Sequence, residues 1–216
     1  MNIKKYNCSS KAKLLHLIQA ENLNFIVPSL ISFTVKELEQ SSSEIFDRIS
    51  DTFQTKIIIR SSASDEDGKS SSSAGEYDSV LNVSVNNPEK ITKAINRVIA
   101  SYEKKRPLMA DDEVIIQEMV QNTTMSGVIF THDLNTGAPY YVINYDDQSG
   151  LTDTVTSGGG KYANRTLYVH RNSINKLRSE RFNKLLQAVQ ELEQVMSSQF
   201  LDIEFALDEN LTPYLL

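Results

Sequence analysis

The segment Lys56-Ile57-Ile58-Ile59-Arg60-Ser61-Ser62-Ala63 carries the most information on how this chain folds. Its apolar residues are typical of a buried strand, and the strand delivers an arginine and two hydroxyls to a loop of small residues. That loop continues through Asp65-Glu66-Asp67 and a serine-rich stretch to Ala74-Gly75. A fixed guanidinium beside backbone N–H groups is a common way to hold a phosphate chain. A flexible serine-rich surface loop after a core strand is the alternative interpretation.

Composition limits the classes of function open to the chain. It has 216 residues, 40% hydrophobic and 23% charged, which is typical of a globular protein that buries a sizeable core. The formal net charge of -6 argues against a nucleic-acid-binding or anionic-membrane-binding surface. Cys8 is the single cysteine, which excludes a disulfide framework and a thiolate metal site. Because the N-terminus lacks the apolar core of a signal peptide, we expect a cytoplasmic location and no membrane partner.

Hydrophobic periodicity predicts a mixed order of helices and strands. Ser9-Ser10 can cap a first helix, and Asn87-Pro88 starts another whose apolar stripe runs from Ile91 to Tyr102. Pro107 to Asp112 is irregular, and strands predominate beyond it, apart from one long amphipathic helix within 173–200. We therefore predict an α+β fold with two lobes, residues 1–108 and 109–216.

Gly68-Lys69-Ser70 looks like the end of a Walker A phosphate loop, but the pattern fails. Walker A requires a glycine five positions before Gly68, where Ala63 stands. Three acidic residues precede it, and the residues after Ser70 do not form a helical pattern. We reject a P-loop assignment.

Two strands could carry binding groups. Asp202 and Glu204 are two residues apart, so both carboxylates would project from one strand face and could bind Mg²⁺ bridged to nucleotide phosphates. A half-exposed strand with a wet polar face is the alternative. The strand from Val114 to Val120 ends in Gln117-Glu118-Met119-Val120 and could line a slot that reads an adenine edge, or could be an ordinary core strand.

The remaining charged candidates are isolated. Lys11 lies at a helix start, where backbone N–H groups and the helix dipole favour an anion, although a solvated lysine has the same sequence pattern. His16, His132 and His170 are scattered singly and do not form a metal-binding set.

In their order along the chain, these segments resemble the ATP-binding domain of the phosphoenolpyruvate synthase and pyruvate phosphate dikinase family. The first matching block is Arg60-Ser61-Ser62-Ala63 with Glu66-Asp67, Ala74-Gly75 and Leu81-Asn82-Val83. The second is Ser126-Gly127-Val128-Ile129-Phe130-Thr131 followed by Asp133 and Thr136-Gly137, which is similar to the family's S-G-V-x-F-T-x-D-P-x-T-G. The strand Leu201 to Ala206 is similar to the family's D-I-E-W-A, and the similarity covers almost the whole chain.

The resemblance implies an ATP-grasp fold that holds ATP between two lobes. It implies that Arg60 and Lys11 contact phosphates, that Gly75 lets the phosphate chain approach the backbone, and that Mg²⁺ is held by Glu204 with Asp202. The further nucleotide contacts that it implies are Ser79, Gln117, Met119 and Val120.

The implied activity is that of a dikinase-like phosphotransferase. ATP would phosphorylate a histidine in another domain of the parent polypeptide, which passes the phosphoryl group to a small-molecule acceptor and leaves AMP and phosphate. Two departures stand out: Ser9-Ser10-Lys11-Ala12 replaces the family's G-G-K-G, and the sequence reaches Leu216 where a metal-binding Gln is expected. We therefore expect one domain of a longer enzyme. The alternatives are a non-catalytic nucleotide-binding module and an ATP-grasp ligase.

Overall fold

The computed structural model describes residues 10–62, 77–152, 155 and 165–216. These residues form two compact units, which we call the N-terminal unit (10–20 and 28–119) and the C-terminal unit (21–27 and 120–216). The loop that follows Ser62, with Gly75, and the Gly158-Gly159-Gly160 stretch lie outside the described residues.

The N-terminal unit is a four-stranded sheet with helices. Its strands are β1 (Leu30–Thr34), β2 (Lys56–Ser62), β3 (Val80–Ser84) and β4 (Glu113–Glu118). They pair in the order β1-β4-β2-β3, and every pairing is antiparallel. The helices are α1 (Lys11–Gln19), α2 (Val35–Gln40), α3 (Ser42–Thr52) and α4 (Pro88–Glu103). As predicted, α4 starts with Pro88 directly after an Asn87 cap, whose side chain accepts the Lys90 N–H at 3.0 Å.

Strand alternation divides this sheet into two chemically different faces. Val114 and Ile116 of β4 lie on the same side as Ile57 and Ile59 of β2, and all four belong to one buried cluster with α3 and α4. The intervening residues of each strand face the other way, because successive strand residues point to opposite faces. The larger buried cluster of the unit is therefore on the α3–α4 side, while Leu30 and Ile115, which are also buried, lie on the opposite face.

The C-terminal unit is a five-stranded antiparallel sheet covered by a long helix. Its strands are β5 (Met125–Phe130), β6 (Tyr140–Asp146), β7 (Arg165–His170), β8 (Asp202–Leu207) and β9 (Pro213–Leu215). Their order is β7-β6-β5-β8-β9. A 3-10 helix spans Arg171–Lys176, and α5 (Glu180–Met196) buries Leu185, Val189 and Leu192. The consecutive strands β5 and β6 pair as a hairpin, and so do β8 and β9.

Two segments, β4 and residues 21–27, belong to a different unit from the one that their position in the sequence suggests. The sequence predicts a lobe boundary at residue 108, whereas β4 lies beyond it and pairs with β1 and β2, so the units divide between residues 119 and 120. Residues 21–27 belong to the C-terminal unit, where Ile26 donates its N–H to the Pro213 carbonyl and accepts the Leu215 N–H, both at 2.9 Å. In both cases, backbone pairing with strands far away in the sequence determines the unit to which the segment belongs.

The mixed helix and sheet content confirms the predicted α+β class. Across the described residues, no helix has the length and apolar character needed to cross a bilayer.

Candidate functional site

The face of the N-terminal sheet opposite α3 and α4 brings several predicted residues together. Arg60 pairs with Ile115, and Gln117 pairs with both Ile58 and Leu30, so these side chains leave the sheet on the same side. Helix α1, which starts with Lys11, lies on this side as well, since the Ala12 N–H donates to the Ser62 hydroxyl at 2.9 Å. We call this side the α1 face; it comprises Leu30, Ser32, Thr34, Ile58, Arg60, Ser62, Glu113, Ile115 and Gln117.

The first turn of α1 is anchored rather than open. The Ser10 hydroxyl accepts the Lys13 N–H at 3.4 Å, the Ser10 carbonyl accepts the Leu14 N–H at 3.2 Å, and the Ala12 N–H is taken by Ser62. The sequence suggested that N–H groups at this helix start would hold an anion. Because protein acceptors already engage these groups, attraction for an anion here rests on the Lys11 ammonium and the helix dipole.

Gln117 is the most unusual polar group on the α1 face. The residue is 1% exposed, and its side-chain Nε2 has no hydrogen-bond partner among the residues that the structure describes. A buried donor without an acceptor destabilises a protein by about 1–3 kcal/mol, so such groups are few in native structures. Gln117 therefore points to an acceptor atom that the described part of the chain does not supply.

The other three nucleotide-contact candidates lie at strand ends. Met119 and Val120 follow β4 directly and are half-buried, and the Met119 N–H donates to the Lys56 carbonyl at 3.0 Å. Ser79 precedes β3 and is exposed. The structure places Met119 in the N-terminal unit and Val120 at the first residue of the second stretch of the C-terminal unit.

A second candidate surface lies on β8 of the C-terminal unit. Asp202 pairs with Phe130 and Glu204 pairs with Val128, so both carboxylates leave the same face, while Ile203 is buried on the other. Asp202 is exposed and Glu204 is half-buried. We call this side, which is opposite α5, the carboxylate face; it includes Val128, Phe130, Asn144, Thr166, Asp202 and Glu204.

The chemistry of the carboxylate face suits a hard cation. Mg²⁺ is bound through one or two carboxylates together with phosphate oxygens and water, and Asp202 and Glu204 supply two carboxylates on a rigid strand. Among the described residues, no three His, Cys, Asp or Glu side chains gather as metal ligands. The face therefore fits a cation that shares its coordination with a phosphate better than a cation held by protein alone.

A buried charge network stabilises the opposite side of this sheet. Arg171 forms a bidentate pair with Glu193, at 2.7 and 2.8 Å, and the Tyr141 hydroxyl donates to Glu193 at 2.8 Å. Burial, and then the bond to Glu193, raise the pKa of the Tyr141 phenol above its usual value. The Glu193 carboxylate likewise raises the pKa of Arg171. These groups fix α5 onto β6 and do not reach the carboxylate face.

Comparison with protein families identifies the chain. The family described as "Pyruvate phosphate dikinase, AMP/ATP-binding domain" matches residues 24–160, well over half of the sequence. This chain belongs to that family. The AMP/ATP-binding domain is also 32% identical over 110 residues to the prodigiosin synthesizing transferase PigC of Serratia marcescens, covering 47% of this chain and 12% of PigC.

Solved structures show that the fold of this AMP/ATP-binding domain is ATP-grasp. D-alanyl-alanine synthetase A from Vibrio cholerae O1 superposes with a TM-score of 0.50 at 13% identity, covering 96% of this chain and 54% of that one. PH1788 from Pyrococcus horikoshii superposes with a TM-score of 0.52 at 13% identity, covering 88% of this chain and 82% of that one. The domain thus spans about half the length of the synthetase, and the part of it that aligns with PigC covers about an eighth of PigC.

Two polar residues of this AMP/ATP-binding domain, one on the carboxylate face and one on the α1 face, are not predicted from the sequence. Asn144 lies on the carboxylate face, where it accepts the Thr166 hydroxyl at 2.7 Å; the alternation of Val142, Asn144 and Asp146 in one strand is the signal that could have found it. Glu113 contacts the start of α1 through Ser10. In the sequence, Glu113 only ends an acidic run before an apolar strand, and no local pattern marks its partner.

Proposed function

We propose that this chain is the ATP-binding part of a dikinase-like phosphotransferase. In this reaction ATP, water and a histidine of another domain give AMP, phosphate and phosphohistidine, and the phosphohistidine then phosphorylates a small-molecule acceptor. The observation that carries the proposal is the gathering of Arg60, Gln117 and the Lys11 end of α1 on one sheet face, within the matched family. PigC is named as a transferase, which supports group transfer over ligation.

Phosphate binding falls to Arg60 and Lys11. Arg60 is half-buried on β2, and its backbone is held by antiparallel pairing with Ile115 of β4. A guanidinium fixed on a strand offers directed N–H donors to phosphate oxygens, and Lys11 adds an ammonium group. Positioning and charge neutralisation of this kind are most of what phosphoryl transfer requires of a protein. Gly75 and Ser79 complete the proposed phosphate contacts, with Gly75 outside the described residues.

The adenine contacts fall to the end of β4. The unpartnered Nε2 of Gln117 would donate to a base acceptor, and Met119 and Val120 would supply apolar surface beside the ring. The base would accept a hydrogen bond from this donor. Binding would therefore remove the free-energy cost of leaving the donor unsatisfied in the free protein.

Asp202 and Glu204 would hold Mg²⁺, whose role when bound is to neutralise charge on ATP phosphates. The two carboxylates are separated by one strand residue and share one face, so both can address the same cation. Glu204 is the more enclosed of the pair and would dominate the affinity.

Calorimetric titration with the β,γ-imido analogue of ATP, with and without Mg²⁺, tests the proposal. Arg60→Ala should abolish measurable binding while leaving the far-UV circular dichroism unchanged. Arg97→Ala is the matched control, because Arg97 pairs with Asp78 at 2.9 Å on the outer side of α4. Unchanged affinity in Arg60→Ala would show that the assignment is wrong.

Product analysis of the parent enzyme separates the dikinase reaction from its alternatives. Release of AMP supports the proposal, release of ADP indicates an ATP-grasp ligase, and binding without turnover indicates a nucleotide-binding module. The acceptor is proposed as a small molecule such as pyruvate, or one that carries a hydroxyl or an amide.

A further inference from the structure

Glu113 connects the start of β4 to the start of α1. The residue is 8% exposed, and its carboxylate accepts a hydrogen bond from the Ser10 hydroxyl. The same carboxylate forms an ion pair with Lys13, whose Nζ lies 3.7 Å away. A buried carboxylate is thus hydrogen-bonded by Ser10 and ion-paired with Lys13, and Lys11 lies between those two residues in sequence.

A second connection ties the same helical turn to β2. The Ser62 hydroxyl accepts the Ala12 N–H at 2.9 Å, and the Ser62 N–H donates to the Tyr102 hydroxyl at 2.8 Å. Tyr102 in turn donates to the Glu113 carbonyl oxygen at 2.6 Å. The residues on both sides of Lys11 are therefore bound to the ends of the two central strands, β2 and β4.

We propose that Glu113 is a positioning residue that sets the reach of Lys11 toward the ATP phosphates through Ser10. The inference rests on the proposed function, because it takes Lys11 to be a phosphate contact. Serine stands at position 10 where the resembled family has glycine, and a serine hydroxyl can make a tether that glycine cannot. A lysine side chain is long and flexible, so fixing its backbone narrows the region that its ammonium samples.

A double-mutant cycle on this chain tests the coupling, with the β,γ-imido analogue of ATP and Mg²⁺ as the probe. Lys11→Ala should weaken binding by about tenfold or more in the wild-type background, as expected for loss of a charge-assisted contact. In the Glu113→Leu background the further loss from Lys11→Ala should shrink to within about twofold. Glu113→Gln keeps an acceptor for Ser10 and should restore most of the wild-type Lys11 effect.

Asn87→Ala is the matched control for stability. Asn87 caps α4 much as Ser10 caps α1, so its loss should lower stability without changing the Lys11 effect. Equal losses from Lys11→Ala in the wild-type and Glu113→Leu backgrounds would overturn the positioning role and leave the proposed function standing. If the wild-type chain binds the analogue and Lys11→Ala does not change its affinity, the positioning role is likewise overturned and the proposed function still stands. A wild-type chain that binds no analogue would overturn both.

Discussion

Gly127 lies against Asn144 so closely that a side chain could not be accommodated between them. A Cβ placed on Gly127 would be 2.0 Å from the Asn144 carbonyl oxygen and 2.8 Å from the Tyr145 Cα. Both obstacles are backbone atoms of β6, the strand that pairs with β5 at this position. The glycine of the Ser126-Gly127-Val128 motif therefore has a packing role: it lets β5 and β6 approach beneath the carboxylate face.

Gly127→Ala should disrupt the C-terminal unit. Because backbone cannot rotate away as a side chain can, we expect a loss of more than about 4 kcal/mol in the free energy of unfolding, or failure to fold. Gly137→Ala is the comparison: φ is +68° there, but a Cβ would meet nothing within 4 Å. That change should lower stability by only about 1–2 kcal/mol. Urea denaturation of the two variants decides, and equal stabilities would contradict the steric argument.

Tyr102→Phe should destabilise the N-terminal unit, because it removes hydrogen bonds at the end of β2 and the start of β4. The hydroxyl bridges the Ser62 N–H and the Glu113 carbonyl, which are register partners on β2 and β4. Removing it leaves a buried donor and a buried acceptor, so we expect a loss of roughly 2–4 kcal/mol. Tyr168→Phe, at a residue 58% exposed, should change stability by less than about 0.5 kcal/mol. A Tyr102→Phe variant as stable as wild type would mean that the Ser62 N–H and the Glu113 carbonyl find other hydrogen-bond partners in the variant.

Tyr141 should make the fold sensitive to alkali. Burial raises the pKa of its phenol, so the folded state favours the neutral form. The stabilisation is complete below the ordinary tyrosine pKa of about 10 and is lost as the pH rises through the raised folded-state value. Urea midpoints between pH 8 and pH 11 should therefore fall less steeply for Tyr141→Phe than for wild type. If the urea midpoint falls equally steeply with pH in the two proteins, Tyr141 has the same pKa in the folded and unfolded states.

The secondary structure and one of the two candidate surfaces could be predicted from local pattern. Strand alternation alone puts Asp202 and Glu204 on one face, and the structure agrees. Pairing between distant strands could not be predicted, because it depends on register rather than on local periodicity. Arg60 and Gln117 are on one face only because β4 inserts between β1 and β2, with Arg60 opposite Ile115. The same insertion moves β4 out of the lobe to which the sequence assigned it.

Gln117→Met should separate stability from binding. Methionine has a similar length and no polar atom, so it removes the orphaned Nε2 without opening a large cavity. The free protein should become more stable by about 1 kcal/mol, because a buried donor without a partner is unfavourable. Affinity for the ATP analogue should fall by about tenfold, since the base loses its donor.

Gln40→Met is the control for Gln117→Met, because Gln40 is an exposed glutamine at the end of α2 in the same unit. It should alter neither quantity beyond experimental error. Thermal unfolding and calorimetry on the three proteins give both quantities. Lower stability in Gln117→Met would mean that Nε2 has an acceptor in the free protein in solution. Higher stability with unchanged affinity would mean that the orphaned donor serves something other than the nucleotide base.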